Sequence, residues 1–359
     1  MTAAGDRTPG PARDPARAPR RRWLVVALAA LAALAVAAVL LLQRPGDEGP
    51  EELPPVAGEY PFGDGSVWRQ DVRDAPLHED SAAMVEHLVG QVEAHYGGVA
   101  AFNVSNYSTA FYTVDADQPR VDVAFDDCQG KGYTPDGLRG PDGQFANVPV
   151  PDDAVPARGA DGQLTVWSPE TDQLWEFWRA ERVDGEWRAC WGGRIDDVST
   201  NPGFFSGGFG SSASGLAISG GMVRLDDVRA GRIEHTLALQ VVEPKEWDEF
   251  SWPAQRSDGF STDEHALPEG QRLRLDPDLD LDALDLHPVA RMVAEAAQRY
   301  GFLVVDKAGS VAVSAETGQV TDGEVNPWDE LLDGTPHYEV MAGFPWGELQ
   351  VLPTDYGKP

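Results

Sequence analysis

Basic side chains are scarce in this 359-residue chain: 28 lysines and arginines stand against 59 aspartates and glutamates, a formal net charge of −31. Phosphate backbones and anionic headgroups are held by basic patches, so nucleic acid is excluded as a partner, and the acid excess reads as a solubility bias. Cysteine is nearly absent, with two residues, Cys128 and Cys190. Neither lies near the N-terminal apolar run, which excludes a lipid-anchored lipoprotein. The glycine- and serine-rich stretch Pro202 to Gly221 contains neither the phosphate-loop nor the nucleophile-elbow pattern. It reads as a loop, a tight crossing or a lid. No internal repeat is visible, so solenoids and propellers drop out.

What the sequence does contain begins with an uncharged apolar run from Trp23 to Leu42, preceded by Arg17, Arg20, Arg21 and Arg22. At a rise of about 1.5 Å per residue such a run reaches roughly 30 Å, the hydrocarbon thickness of a bilayer. The expectation is a transmembrane helix over 23–43 that anchors the chain to the membrane. Six arginines before it, and Asp47, Glu48, Glu51 and Glu52 after it, place residues 1–22 in the cytoplasm and the remainder outside. A cleaved secretory signal has the same charge order, but Val39 to Leu42 stand where small cleavage-site residues belong. Residues 44–59, rich in proline and carboxylates, read as an extended spacer. An exported β-rich domain follows over 60–353, with a short tail at 354–359.

An even cysteine count in an oxidising compartment predicts a Cys128–Cys190 disulfide. Closing that loop stabilises the fold by roughly 4 kcal/mol in the chain-entropy model. Helical periodicity occurs twice. Met84, Val85, Leu88 and Val92 share a face after Asp80 or Ser81, and Val289, Met292, Val293 and Ala296 share one after Pro288. Elsewhere the patterns are of strands, at 121–125, 164–167, 174–182, 187–192, 236–242, 273–275, 302–305 and 311–315, the last two joined as a hairpin through Asp306 to Gly309. The fold class is mainly β: a β-sandwich or jelly roll with two peripheral helices.

Asp184 and Gly185 form the strongest turn signal, because a two-residue hairpin turn needs positive φ at both positions. That turn sets Trp178 opposite Trp191, Glu181 opposite Arg188, and Arg182 opposite Trp187, pairs suited to aromatic, ionic and cation–ring contact. Strict alternation then puts Leu174, Glu176, Trp178, Trp187 and Trp191 on one face, with Trp175, Phe177 and Cys190 on the other. A carboxyl ringed by indoles suits a sugar, whose C–H faces stack on aromatic rings, and its raised pKa suits a general acid. The opposing account is packing between two sheets.

Glu176, His235 and Asp258 are therefore the catalytic candidates, and Trp178, Trp187, Trp191, Arg232 and Arg256 the ligand-binding ones. A histidine near an arginine fits proton abstraction from a uronic acid. No cofactor is expected beyond an irregular Ca²⁺ site on Asp276, Asp278, Asp280, Asp282 and Asp285. That run lacks the EF-hand glycine and glutamate, having Leu281 and His287 at those places. The spacing of His87 and His95 is not that of a helical zinc pair.

The segments Ala189 to Ile195 (ACWGGRI), Gly231 to His235 (GRIEH), Trp252 to Gly259 (WPAQRSDG) and Arg272 to Pro277 (RLRLDP) resemble a group of exported proteins of high-GC Gram-positive bacteria that has no assigned activity. The resemblance covers roughly Tyr60 to Leu352 and implies one domain outside the membrane. The expected function is that of a single-pass surface protein that binds or processes extracellular or cell-envelope glycan. The competing expectation is a non-enzymatic interaction domain.

Overall fold

A computed structural model describes residues 60–318 and 325–359; the expected tail, anchor and spacer of residues 1–59 lie outside the described residues. The chain is mainly β, with three sheets and four α-helices among the described residues. None of those helices is long and apolar enough to cross a membrane.

Among the described residues, thirteen strands are distributed over the sheets. The largest sheet has the order β1 (Ala101–Asn103), β12 (Ala312–Ser314), β9 (Leu237–Val241), β11 (Phe302–Lys307), β10 (Arg272–Leu275) and β13 (Leu349–Val351). A four-stranded sheet runs β2 (Ala110–Thr113), β4 (Leu164–Ser168), β5 (Gln173–Trp178) and β8 (Trp191–Asp196). A three-stranded sheet runs β3 (Ala124–Phe125), β7 (Glu186–Ala189) and β6 (Glu181–Val183).

Alternation along the strands sorts the apolar side chains into layers. Phe302, Val304, Leu237 and Leu239 of the large sheet pack with Met84, Val85 and Leu88 of helix α1 (Ser81–Ala94) and Val289 and Val293 of helix α3 (Pro288–Arg299). Their neighbours Leu303, Val305 and Ala238 turn the other way and meet Phe111, Trp167, Leu174 and Ile195 of the four-stranded sheet around Trp68. The far face of that second sheet, with Val166, Trp175 and Phe177, is covered by Phe145, Val148 and Trp187. The order is thus helices, large sheet, apolar layer, second sheet, cover. Short helices α2 (Leu225–Ala230) and α4 (Pro327–Leu331) escaped the periodicity reading, being too short to show one.

The glycine-rich stretch is a tight crossing. A side chain at Gly203, Gly220 or Gly221 would meet the Trp68 indole at 2.4 to 2.6 Å, so the backbone closes on that ring only because these residues are glycines.

Asp184 and Gly185 adopt φ of 52° and 89°, and all three cross-strand pairs stand in the expected register. Two expectations built on that hairpin need correction. Arg182 donates to the carbonyls of Asp152 and Gly185, instead of covering the Trp187 ring. Continuous alternation also fails. Arg179 at φ 55° ends β5 before β6 begins, and Cys190 separates β7 from β8. Trp187 accordingly is buried with Trp175 and Phe177 in the outer layer, which Trp191 only borders, half-buried. The expected hairpin of 302–305 with 311–315 is a crossover: β9 lies between β11 and β12, parallel to the first and antiparallel to the second. The Cys128–Cys190 disulfide is present, and it joins the 126–131 loop to the β7–β8 junction.

Candidate functional site

At one end of the layer between the two large sheets, the wall opens into a cavity of about 370 Å³. Trp178 and Trp191, directly paired across β5 and β8, form one side of it. Their ring orientations are set by hydrogen bonds, from the Trp178 indole to Asp161 at 3.2 Å and from the Trp191 indole to the Gly208 carbonyl at 3.3 Å. Phe209 stacks on Trp191 at 5.6 Å, and the Lys131 ammonium lies 4.7 Å from the ring centroid. Lys131 reaches that place because the disulfide holds its loop and Asp127 accepts its amide at 2.7 Å.

The opposite side carries charge. Arg256, Asp258, Asp306 and Lys307 line the cavity, and Lys307 binds Asp258 at 2.5 Å. Arg256 donates to the carbonyls of Gly210 and Ser212. Asp306 owes its place to an irregularity: β11 shifts register against β9 between Val304 and Asp306, a bulge that re-aims the side chain. Its carboxylate accepts the amides of Ala213 at 3.0 Å and Lys307 at 2.8 Å.

Behind Asp258 and Asp306 lies Glu269, which is wholly buried. Three carboxylate oxygens, one each from Asp258, Glu269 and Asp306, fall within 4.8 Å of one another. Two glycines hold these loops in place. A side chain at Gly259 would strike the Lys245 carbonyl, and one at Gly270 the Ser251 carbonyl, each at under 2 Å. Neither oxygen of Glu269 meets a hydrogen-bond donor. The Asp258 carboxyl faces it, acceptor against acceptor unless the two share a proton. Burial first, and then the charges of Asp306 and Asp258, push Glu269 up to about 10. Burial also raises Asp306 to about 7, against the pull of the Ala213 amide. Arg256 is lowered by burial and sustained by the three acids.

Of the residues singled out in the sequence, Asp258, Trp178, Trp191 and Arg256 meet at this cavity. Glu176 shares the Trp178 face but lies deeper, in the layer between sheets. Its carboxylate accepts the Ser219 amide at 2.9 Å, the Ser219 hydroxyl at 2.6 Å and the Ser211 hydroxyl at 2.8 Å. Burial raises its pKa and the serines oppose the rise. Ser211 itself lines the cavity. His235 lies elsewhere, 1 % exposed, stacked on Tyr60 at 5.1 Å and bonded to Asp227 and the Thr236 carbonyl. Arg232 pairs with Glu234 at 3.3 Å. Trp187 is packed in the outer layer.

The aspartate run forms turns leading to α3, with Asp276 and Asp280 accepting the amides two residues on and Asp282 binding Arg291. His87 contacts Gln91 on its own helix.

Glu269, Asp306 and Lys307 were missed as site residues. Glu269 carries no local pattern in the sequence, and Asp306 reads as part of a hairpin connection that does not form. Comparison with protein-family models, with curated proteins and with solved structures finds no match.

Proposed function

We propose that this chain is a single-pass, membrane-anchored surface protein whose β-rich domain, a sandwich of the six- and four-stranded sheets, binds extracellular or cell-envelope glycan in the Trp178–Trp191 cavity. The surface placement comes from the arginine-then-apolar order of residues 1–42. One observation carries the ligand class: two adjacent indoles flank a cavity whose other lining side chains, Ala213 apart, are charged, hydroxylic or amide. A sugar offers C–H faces to the rings and hydroxyls to Asp161, Gln163, Ser211 and Asp258. Lys131, Arg256 and Lys307 match Asp161, Asp258 and Asp306 in number, so the cavity departs from the strong acidity of the chain and does not repel an anionic sugar.

The test is a glycan panel probed with the detergent-solubilised full chain and scored for both retention and cleavage. Retention of one glycan class, weakened at least about tenfold in Trp191→Ala, a loss of about 1.4 kcal/mol, is the expected result. Trp247→Ala, at an indole that is 63 % exposed away from the cavity, should leave retention unchanged. Retention unaffected by Trp191→Ala, or an empty panel, overturns the reading. A second reading, a protein-interaction domain, is favoured by the exposed aromatics Trp247, Phe250 and Phe260. It gains if the panel is empty.

A further inference from the structure

We infer that Asp258, Glu269 and Asp306 form a site for a hard divalent cation, calcium above others, at the floor of the cavity, with Lys307 as the cation it displaces. The cluster of acids would not carry this alone. What points to a ligand is Glu269: it is 0 % exposed, neither of its oxygens meets a donor, and its carboxylate is aimed at the other two. A buried carboxylate left without partners is costly, and folded chains pair such groups or place them on metals.

Spacing and ligand chemistry agree with that assignment. Calcium holds oxygens at about 2.3–2.6 Å, so ligands on opposite sides of the ion stand at most about 5 Å apart. The three carboxylate oxygens lie within 4.8 Å of one another. An all-oxygen set without histidine or cysteine disfavours zinc, and the acidic donors favour a hard ion. With all three carboxyls ionised, as ligands to an ion would be, they outnumber the two cations beside them, Lys307 and Arg256, by one charge.

Lys307 binds Asp258 at 2.5 Å on an exposed, flexible stem, whereas Arg256 is anchored by two carbonyls. An arriving ion therefore displaces the lysine and not the arginine. The site goes beyond the glycan reading and does not rest on it, because ion binding is measured with no sugar present.

The experiment is calcium titration calorimetry on chelator-stripped full chain in detergent, paired with terbium luminescence excited through the tryptophans. One site with Kd of about 10⁻⁴–10⁻³ M, terbium emission displaced by calcium, and a raised Tm are expected. Glu269→Gln should keep a cooperative unfolding transition in chelator yet weaken calcium at least about tenfold, since ligand charge sets affinity. Lys307→Gln should tighten binding by removing the competitor. The proposal is overturned if the parent shows neither heat nor terbium emission at millimolar ion, the outcome of a proton shared between Glu269 and Asp258. It is equally overturned if Glu269→Gln binds as tightly as the parent.

Discussion

Glu176 and Glu269 are closed off from water to the same degree, 1 % and 0 % exposed, yet their surroundings are opposite. The layer between the sheets brings Glu176 an amide and two hydroxyls from the serine-rich crossing. The cavity floor brings Glu269 two more carboxylates and no donor. Burial raises both carboxyls, so a raised pKa alone does not separate them. The donors do. A buried acid whose lone pairs are filled by the chain is part of the packing, whereas one that is left unfilled is directed at something the chain does not supply.

Removing each acid should therefore act with opposite sign, and the larger effect belongs to Glu176. Glu176→Ala strands the Ser219 amide and hydroxyl inside a dry layer and takes the acceptor from the Ser211 hydroxyl at the cavity wall, at a cost of about 3 kcal/mol in urea unfolding. Glu176→Gln keeps an acceptor and should cost about 1 kcal/mol. A cost for the alanine variant no larger than for the glutamine variant would show that water already reaches those serines, and the comparison would break.

At Glu269 the corresponding change should stabilise. In the presence of chelator, Glu269→Gln replaces an acid that must take up a proton to donate to Asp258 by an amide that donates to Asp258 or Asp306 without one. The expected gain is about 2 kcal/mol, read as a higher urea midpoint at unchanged slope. A loss of stability of that size would place Glu269 with Glu176 among the structural acids, and would weaken the cation assignment with it.

How far this contrast was legible beforehand differs residue by residue. The Trp178–Trp191 pairing was readable because Asp184 and Gly185 demand one turn type, and that turn dictates the register. The disulfide followed from there being two cysteines. The alternation argument carried past Trp178 failed at Arg179, where one residue at positive φ redirects the strand and sends Trp187 to another layer. Glu269 had no local signal: its burial is imposed by the 251–259 loop folding over Gly270, a contact between distant segments. Asp306 was hidden because insertion of β9 between β11 and β12 is a long-range pairing, while the local Asp306–Gly309 sequence looks like a turn.

Glu316 provides the intermediate case and the smallest effect. It is 8 % exposed, accepts the Leu225 amide at 3.1 Å, and has the Arg224 charge nearby. Burial nonetheless raises it from 4.5 to about 7. A carboxyl raised on folding binds its proton more tightly in the native state, so the stability this confers is fully present below the unfolded value and is lost as pH rises through about 7. Glu316→Gln retains an acceptor for Leu225 and cannot titrate. The shift, which already contains the attraction of Arg224, corresponds to at most roughly 3 kcal/mol. The variant should therefore be no more stable than the parent near pH 4, and more stable by about 1 kcal/mol near pH 7.5. Thermal unfolding across that range decides it: parallel curves for variant and parent would mean that Arg224 already holds Glu316 ionised, placing it beside Glu176 as a fully satisfied acid.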